Sequence, residues 1–195
     1  MITALAQYIA GCLLHNDIIE GEKLDIYIYG FEVMISSISG FTIALILGFA
    51  FSQPLECILF LITFVSMRSY CGGYHADTYL KCNSIFAVTI TAVMLLFKFV
   101  PQYPIYIHFW IGVFSLGTVI IFAPVENKFK PLDIKTKKKC KWISILLTVL
   151  FSSGAVLLDD MFSCFSVVID TALLVVAVSV MIEIIRKQGE HNERD

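Results

Sequence analysis

Apolar residues run along this chain in blocks close to the length of a membrane-crossing helix, separated by short polar punctuation. A helix that spans a bilayer needs about 20 mainly apolar residues, with a range of roughly 17–25. Five segments meet that length outright: 31–51, 84–100, 105–123, 142–158 and 162–185. A sixth, 55–67, reaches a full span by taking Pro54 into its first turn, where proline is tolerated, and the start of the polar stretch after it. The pattern predicts an all-α integral membrane protein of six transmembrane helices. Ahead of them, Ile2, Leu5, Ala6, Ile9, Leu13 and Leu14 recur at helical spacing, broken by Gln7 and His15. That spacing predicts an N-terminal amphipathic helix lying in the membrane interface. Asp17, Glu20, Glu22, Lys23 and Asp25 then form a charged linker.

The expected organisation is one polytopic domain over 1–195. Residues 1–30 are the interfacial helix and linker, and 31–185 the six-span bundle. The bundle carries a polar island at 68–83 and a basic loop at 124–141, and 186–195 form a tail. No internal repeat is visible.

Composition supports the membrane reading. The chain is 58% hydrophobic and 15% charged, against about 45–50% and about 25% in ordinary soluble domains. A water-soluble globule cannot hide that much apolar side chain. The formal net charge of −2 says little about partners, and no nucleic-acid partner is expected. The distribution says more, because seven of the fourteen Lys and Arg fall between 128 and 141. Basic residues mark the cytoplasmic side of short loops. With that loop inside, alternation puts Arg68, Lys81, Arg186 and Lys187 inside, and the lysine-free loops at 52–54, 101–104 and 159–161 outside. Both termini and the island are then cytoplasmic. Residues 1–11 carry no basic residue ahead of their apolar stretch, so no signal peptide is expected. Of the six cysteines, Cys12, Cys57 and Cys164 lie in or beside apolar runs and read as buried thiols, not as a disulfide framework. Asp170 lies inside the last span, where an ionised carboxylate costs roughly 2.5–3.5 kcal/mol. It is expected to be paired or protonated and structural, with Lys98 as a candidate partner.

The candidate chemistry is in the island, Arg68-Ser69-Tyr70-Cys71-Gly72-Gly73-Tyr74-His75-Ala76-Asp77-Thr78-Tyr79-Leu80-Lys81-Cys82. An ionised thiol is a strong nucleophile, but a free one is only a few per cent ionised at neutral pH. A neighbouring imidazole can take its proton. On one unbroken helix residues 75 and 82 would stand about 10 Å apart along the axis, too far for a hydrogen bond. No single helix can therefore run through both, and Gly72-Gly73 supplies the break that lets the chain fold His75 back over Cys82. A span starting near Cys82 would also aim the positive end of a helix dipole at the thiol. Other readings stay open: a solvated histidine, a cysteine that is merely small and apolar, and Asp77 either orienting His75 or lying on the surface. Arg68 either marks the inner boundary or holds a carboxylate or oxyanion. Cys71, His75 and Cys82 make a poor zinc site, which pairs closely spaced ligands and needs a fourth. No metal and no cofactor are expected.

Arg68, Gly73, His75 and Cys82, in the frame R-x4-G-x-H-x6-C within six spans and about 200 residues, resemble the accessory gene regulator protein B (AgrB-like) family. The run Ala123-Pro124-Val125-Glu126-Asn127-Lys128-Phe129-Lys130-Pro131 resembles that family's next signature. The resemblance implies a multi-pass cysteine endopeptidase of a bacterial cell membrane that matures a quorum-sensing peptide. It implies Cys82 as nucleophile, His75 as general base and acid, and Arg68, Gly72 and Gly73 as supporting positions. It further implies an AgrD-like propeptide as substrate, with an amphipathic leader and an acidic tail, and a homodimer in the lipid bilayer. Lys128, Lys130, Lys137, Lys138 and Lys139 are candidates for holding the acidic tail, although topology and anionic lipid need the same charges. A non-enzymatic membrane transporter or scaffold is the alternative from another class.

Overall fold

The computed structural model describes residues 2–74, 76, 78–100, 102–125 and 133–192, with side chains as far as Gly189. Helices account for nearly all of them: α1 (Ile2–His15), α2 (Leu24–Ala50), α3 (Pro54–Cys71), α4 (Tyr79–Phe99), α5 (Ile105–Phe122) and α6 (Ile134–Asn192), with a 3₁₀ turn at Gly21–Lys23. Five of these are long and apolar enough to cross a membrane. The last supplies two crossings, because Phe162 leaves helical geometry (φ −145°, ψ 63°) and divides α6 into 134–161 and 163–192. Each half is about 42–45 Å long at 1.5 Å per residue, more than a hydrocarbon core of about 30 Å requires. The molecule is an all-α multi-pass membrane protein.

The helix starts differ from the expected ones. The charged linker is short, because α2 begins at Leu24 and takes in Asp25. No loop interrupts 159–161: the helix runs through Asp159 and Asp160, and the break falls at Phe162. Asp159 needs no aqueous loop, since its carboxylate meets the His108 ring at 3.1 Å. Along α1 it is Ala6 and Ala10, one turn apart, that are buried, while Leu5 is half exposed.

By its internal contacts the chain forms two compact units, Met1–Leu47 with Ala76–Thr91, and Gly48–His75 with Ala92–Asp195. In the first unit, α2 presents Glu32, Ser36 and Gly40, four residues apart on one face, to α4. Tyr79 donates its hydroxyl to Glu32 Oε2 at 3.1 Å, and Ser36 donates to Asn83 Oδ1 at 3.3 Å. Gly40 lies beside the Phe86 ring, which a Cβ there would meet at an ordinary contact distance of 3.6 Å. Rising numbers on one helix meet rising numbers on the other, so α2 and α4 run parallel. This is the direction that alternating spans require.

In the second unit α3 and α5 both pack along α6. Residues 166–173 of α6 are all buried, as expected of a helix apolar on every side. Close approach is made by small residues: Gly112 of α5 faces Ser152 of α6, where a Cβ would stand 3.1 Å from the serine Oγ. Phe60 and Phe64 stack at 5.6 Å on α3. Many large apolar side chains remain exposed, among them Ile46, Phe49, Phe109 and Trp110. Apolar surface of that extent suits lipid contact and would be a liability in water.

Candidate active site

The island begins where α3 stops. Gly72 N–H donates to the Arg68 carbonyl at 3.0 Å, closing the last turn, and Gly72 then swings to φ 73°. Gly73 follows at φ 132°. Side chains rarely adopt either conformation, and space forbids them as well. A Cβ on Gly72 would lie 2.3 Å from the Val125 carbonyl oxygen, and one on Gly73 would lie 2.6 Å from Ser179 Oγ. The diglycine is thus a fixed turn pressed against two other segments of the chain.

Backbone bonds hold it there. Val125 N–H donates to the Cys71 carbonyl at 2.9 Å, and Tyr74 N–H donates to the Ser179 carbonyl at 3.0 Å. The two stretches that carry the sequence signatures, around Gly72 and around Pro124, therefore lie side by side. Arg68 completes the clamp by donating to the Tyr74 carbonyl and to Ser179 Oγ at 3.2 Å. Its guanidinium carbon also lies 5.8 Å from the centre of the Phe64 ring. Arg186 stacks over the Tyr74 ring at 5.4 Å and donates to Glu183 Oε1 at 3.0 Å. Glu183 is buried on the last helix. Arg68 thus acts on the island's own backbone. Cys71, an extra thiol without an assigned role, is fully buried.

Cys82 belongs to the first unit and is half-buried at the fourth position of α4. Thr78 caps that helix, its Oγ1 accepting from Lys81 N–H at 3.3 Å and its carbonyl from Cys82 N–H at 3.0 Å. The first of these satisfies a donor that a helix start otherwise leaves orphaned, and the second is the first bond of the helix itself. Tyr79 and Asn83, flanking Cys82, are the residues tied to Glu32 and Ser36. The nucleophile candidate is therefore on a helix start fixed to α2. The expected helix break is realised, since α3 ends at Cys71 and α4 starts at Tyr79. His75 and Asp77 lie outside the described residues, as do Lys128 and Lys130.

At the same end of the second unit as the diglycine, a cavity of 540 Å³ is lined by Phe122, Pro124, Ile134, Ile184 and four lysines, Lys137, Lys138, Lys141 and Lys187. Of the lysines named as candidates for the tail, Lys137 and Lys138 line it together with Lys141 and Lys187, and Lys139 is exposed outside the lining. Among the described residues no group of three or more His, Cys, Asp or Glu is arranged to hold a metal ion.

Asp170 has different partners from the one expected. It receives the Tyr103 hydroxyl at 2.9 Å and meets His108 Nδ1 at 2.5 Å, so its company is an imidazole and a phenol instead of Lys98. His108, Ser179 and Glu183 belong to no motif in the sequence, and Arg186 stands out there only as a basic residue at a span end. Ser179, Glu183 and Arg186 form a polar stripe at helical spacing on an otherwise apolar span, which is the signal they share.

These features define a polytopic helical membrane protein. The chain belongs to the accessory gene regulator B family, whose model matches residues 6–186. It is 31% identical over 126 residues to putative AgrB-like protein 2 of Clostridium perfringens (strain 13 / Type A), covering 62% of this chain and 59% of that protein. To accessory gene regulator protein B of Staphylococcus intermedius it is 30% identical over 108 residues, 54% of this chain and 56% of that protein. To accessory gene regulator protein B of Staphylococcus aureus (strain MRSA252) it is 25% identical over 123 residues, 63% and 65% respectively. The matched stretch covers about three fifths of the length of these relatives. No solved structure matches.

Proposed function

We propose that this chain is a membrane-embedded cysteine endopeptidase of bacterial quorum sensing that removes the acidic C-terminal tail of an AgrD-like propeptide. Cys82 is the nucleophile and His75 its general base and acid. The observation that carries the reading is the rigid diglycine turn, clamped by Arg68 and Ser179 and lying two to three residues ahead of His75 along the chain. A turn that excludes every side chain is what a site needs when it must hold a short catalytic segment in one conformation.

In this reading the propeptide's amphipathic leader docks on the inner leaflet and confines the scissile bond near Cys82. His75 takes the thiol proton, and the thiolate attacks the carbonyl carbon ahead of the tail. Island N–H groups receive the developing oxyanion. The C–N bond breaks, the tail's new amine takes the proton from His75, and a thioester to Cys82 remains. A Cys or Ser side chain of the substrate then attacks that thioester, closing a thiolactone or lactone and returning the proton to Cys82. Thioester exchange is near even in energy. Making a thioester from an amide is uphill, so departure of the tail draws the reaction forward. A partly dry site keeps water from taking the acyl group. In the same reading the lysine-lined cavity receives the tail, and the active site and both termini face the cytoplasm.

The test is co-expression with an AgrD-like propeptide. Wild type releases the tail, whereas Cys82→Ala and His75→Ala insert normally and release none. Equal processing by Cys82→Ala would favour a transporter or scaffold without covalent chemistry.

A further inference from the structure

At the far end of α5 from the lysine cavity, about 21 Å along the helix, four polar side chains close on one another inside the second unit. His108 is buried, with Nδ1 2.5 Å from Asp170 Oδ2 and Nε2 3.1 Å from Asp159 Oδ1. Tyr103 packs against the imidazole at 4.6 Å between ring centres and donates its hydroxyl to the same Asp170 oxygen at 2.9 Å. Asp170 is fully buried and its second oxygen, Oδ1, has no hydrogen-bond partner. Asp159 keeps 16% of its side chain accessible. The two carboxylates come from opposite sides of the break at Phe162, so the ring bridges both halves of α6.

Proton counting decides what this arrangement holds. A neutral imidazole has one N–H and one lone pair, whereas both of its nitrogens here face carboxyl oxygens. With a single N–H and two ionised carboxylates, one of the two contacts would set acceptor against acceptor in a buried place. Both become hydrogen bonds only when two protons are shared among the three groups, as an imidazolium between two carboxylates or as a neutral ring beside one carboxylic acid. We propose that Tyr103, His108, Asp159 and Asp170 form a proton-binding site that locks the break in α6 to the start of α5, with Asp159 as its door to solvent.

The surroundings fit a proton and no larger cation. Burial, followed by the negative charge of Asp170, pushes the Tyr103 hydroxyl far above its ordinary range, so it stays a donor. The two carboxylates meet opposite nitrogens of one ring and do not converge on a common point. Other titratable groups near this end are Asp160, exposed beside the break, Lys98, exposed in the last turn of α4, and Glu56 of α3, which accepts from the Cys164 thiol at 3.8 Å. The short connections here, 52–54 and 101–104, carry no lysine or arginine. By the distribution of basic residues this is the outer end, so the proton comes from the external side and the site is separate from the thiol chemistry.

The experiment counts protons in the purified full chain at neutral pH. Histidine-selective ¹⁵N labelling reads the His108 ring, assigned by loss of its signal in His108→Gln. The infrared C=O stretch of a carboxylic acid, assigned by loss in Asp170→Asn, reads the carboxyl. The expected result is two protons: a doubly protonated ring, or a singly protonated ring with one protonated carboxyl, Asp170 or Asp159, the latter assigned by loss of the C=O stretch in Asp159→Asn. Asp159→Asn, at the accessible edge, should leave the chain folded and remove one of the two. Amide exchange at residues 157–166 should then quicken at least tenfold. A singly protonated ring beside two ionised carboxylates overturns the proposal, as does exchange around Phe162 unchanged in Asp159→Asn.

Discussion

Arg68 donates to the Ser179 hydroxyl at 3.2 Å across 111 residues of sequence, and that bond joins the end of α3 to the final helix beneath the island. The same guanidinium donates to the Tyr74 carbonyl. One side chain thus holds both the loop and the surface on which it lies. Planar, forked donation of this kind is a property of arginine that lysine does not reproduce. Arg68→Lys should therefore insert and fold but process the propeptide at least about tenfold more slowly, the equivalent of about 1.4 kcal/mol in the barrier. Retained rate in Arg68→Lys would reduce the residue to a positive charge at the membrane boundary.

The glycines give a sharper expectation. A methyl group on Gly72 would collide with the Val125 backbone and one on Gly73 with Ser179, and the positive φ values add strain of roughly 1–3 kcal/mol each. Gly72→Ala is expected to be the worse of the two, because a backbone carbonyl yields less than a serine hydroxyl. Protease protection of membrane vesicles should show both variants inserted, with propeptide cleavage strongly reduced in each.

The ties between α2 and the start of α4 have a stability signature. Tyr79→Phe removes the hydroxyl that donates to Glu32 at 3.1 Å. A hydrogen bond to a charged group contributes about 1.5–3 kcal/mol, and this partly exposed one belongs at the low end. Thermal unfolding in detergent should show a lower midpoint for Tyr79→Phe. Adding Glu32→Gln to it should cost little more, since the pair is already broken.

Much of the fold was legible because a membrane-crossing helix declares itself by length alone. Segments 31–51, 84–100 and 105–123 each fall within or nearly within an observed helix. The end of α3 was legible too, since the paired glycines that follow Cys71 have few other uses. What the sequence withheld was partnership. Nothing local tells that Arg68 meets Ser179, or that His108 lies between two aspartates 51 and 62 residues away. The same ignorance misplaced the loop at 159–161. Two adjacent aspartates read as a water-facing turn until the buried imidazole that satisfies one of them is known.

The basic cavity makes a separable prediction. Lys137, Lys138, Lys141 and Lys187 converge on its walls. Charges of this kind are worth about 1 kcal/mol each at a membrane surface and are screened by salt. Replacing Lys137, Lys138 and Lys141 together by Gln should raise the KM for a propeptide with an acidic tail and leave kcat within about twofold, the pattern of lost ground-state binding. The same variant should show little further loss when the salt concentration is raised. A fall in kcat at unchanged KM would assign these lysines to something other than holding the tail.

The central claim is covalent, and trapping the covalent species tests it most directly. The purified wild-type chain is incubated with a propeptide whose central Cys or Ser has been replaced by Ala, so that the ring cannot close. Intact-mass measurement and peptide mapping should then find the propeptide's N-terminal portion attached to Cys82, released by hydroxylamine and absent from Cys82→Ala. Tail release by wild type with no adduct on Cys82, matched by equal release from Cys82→Ala, would contradict the account.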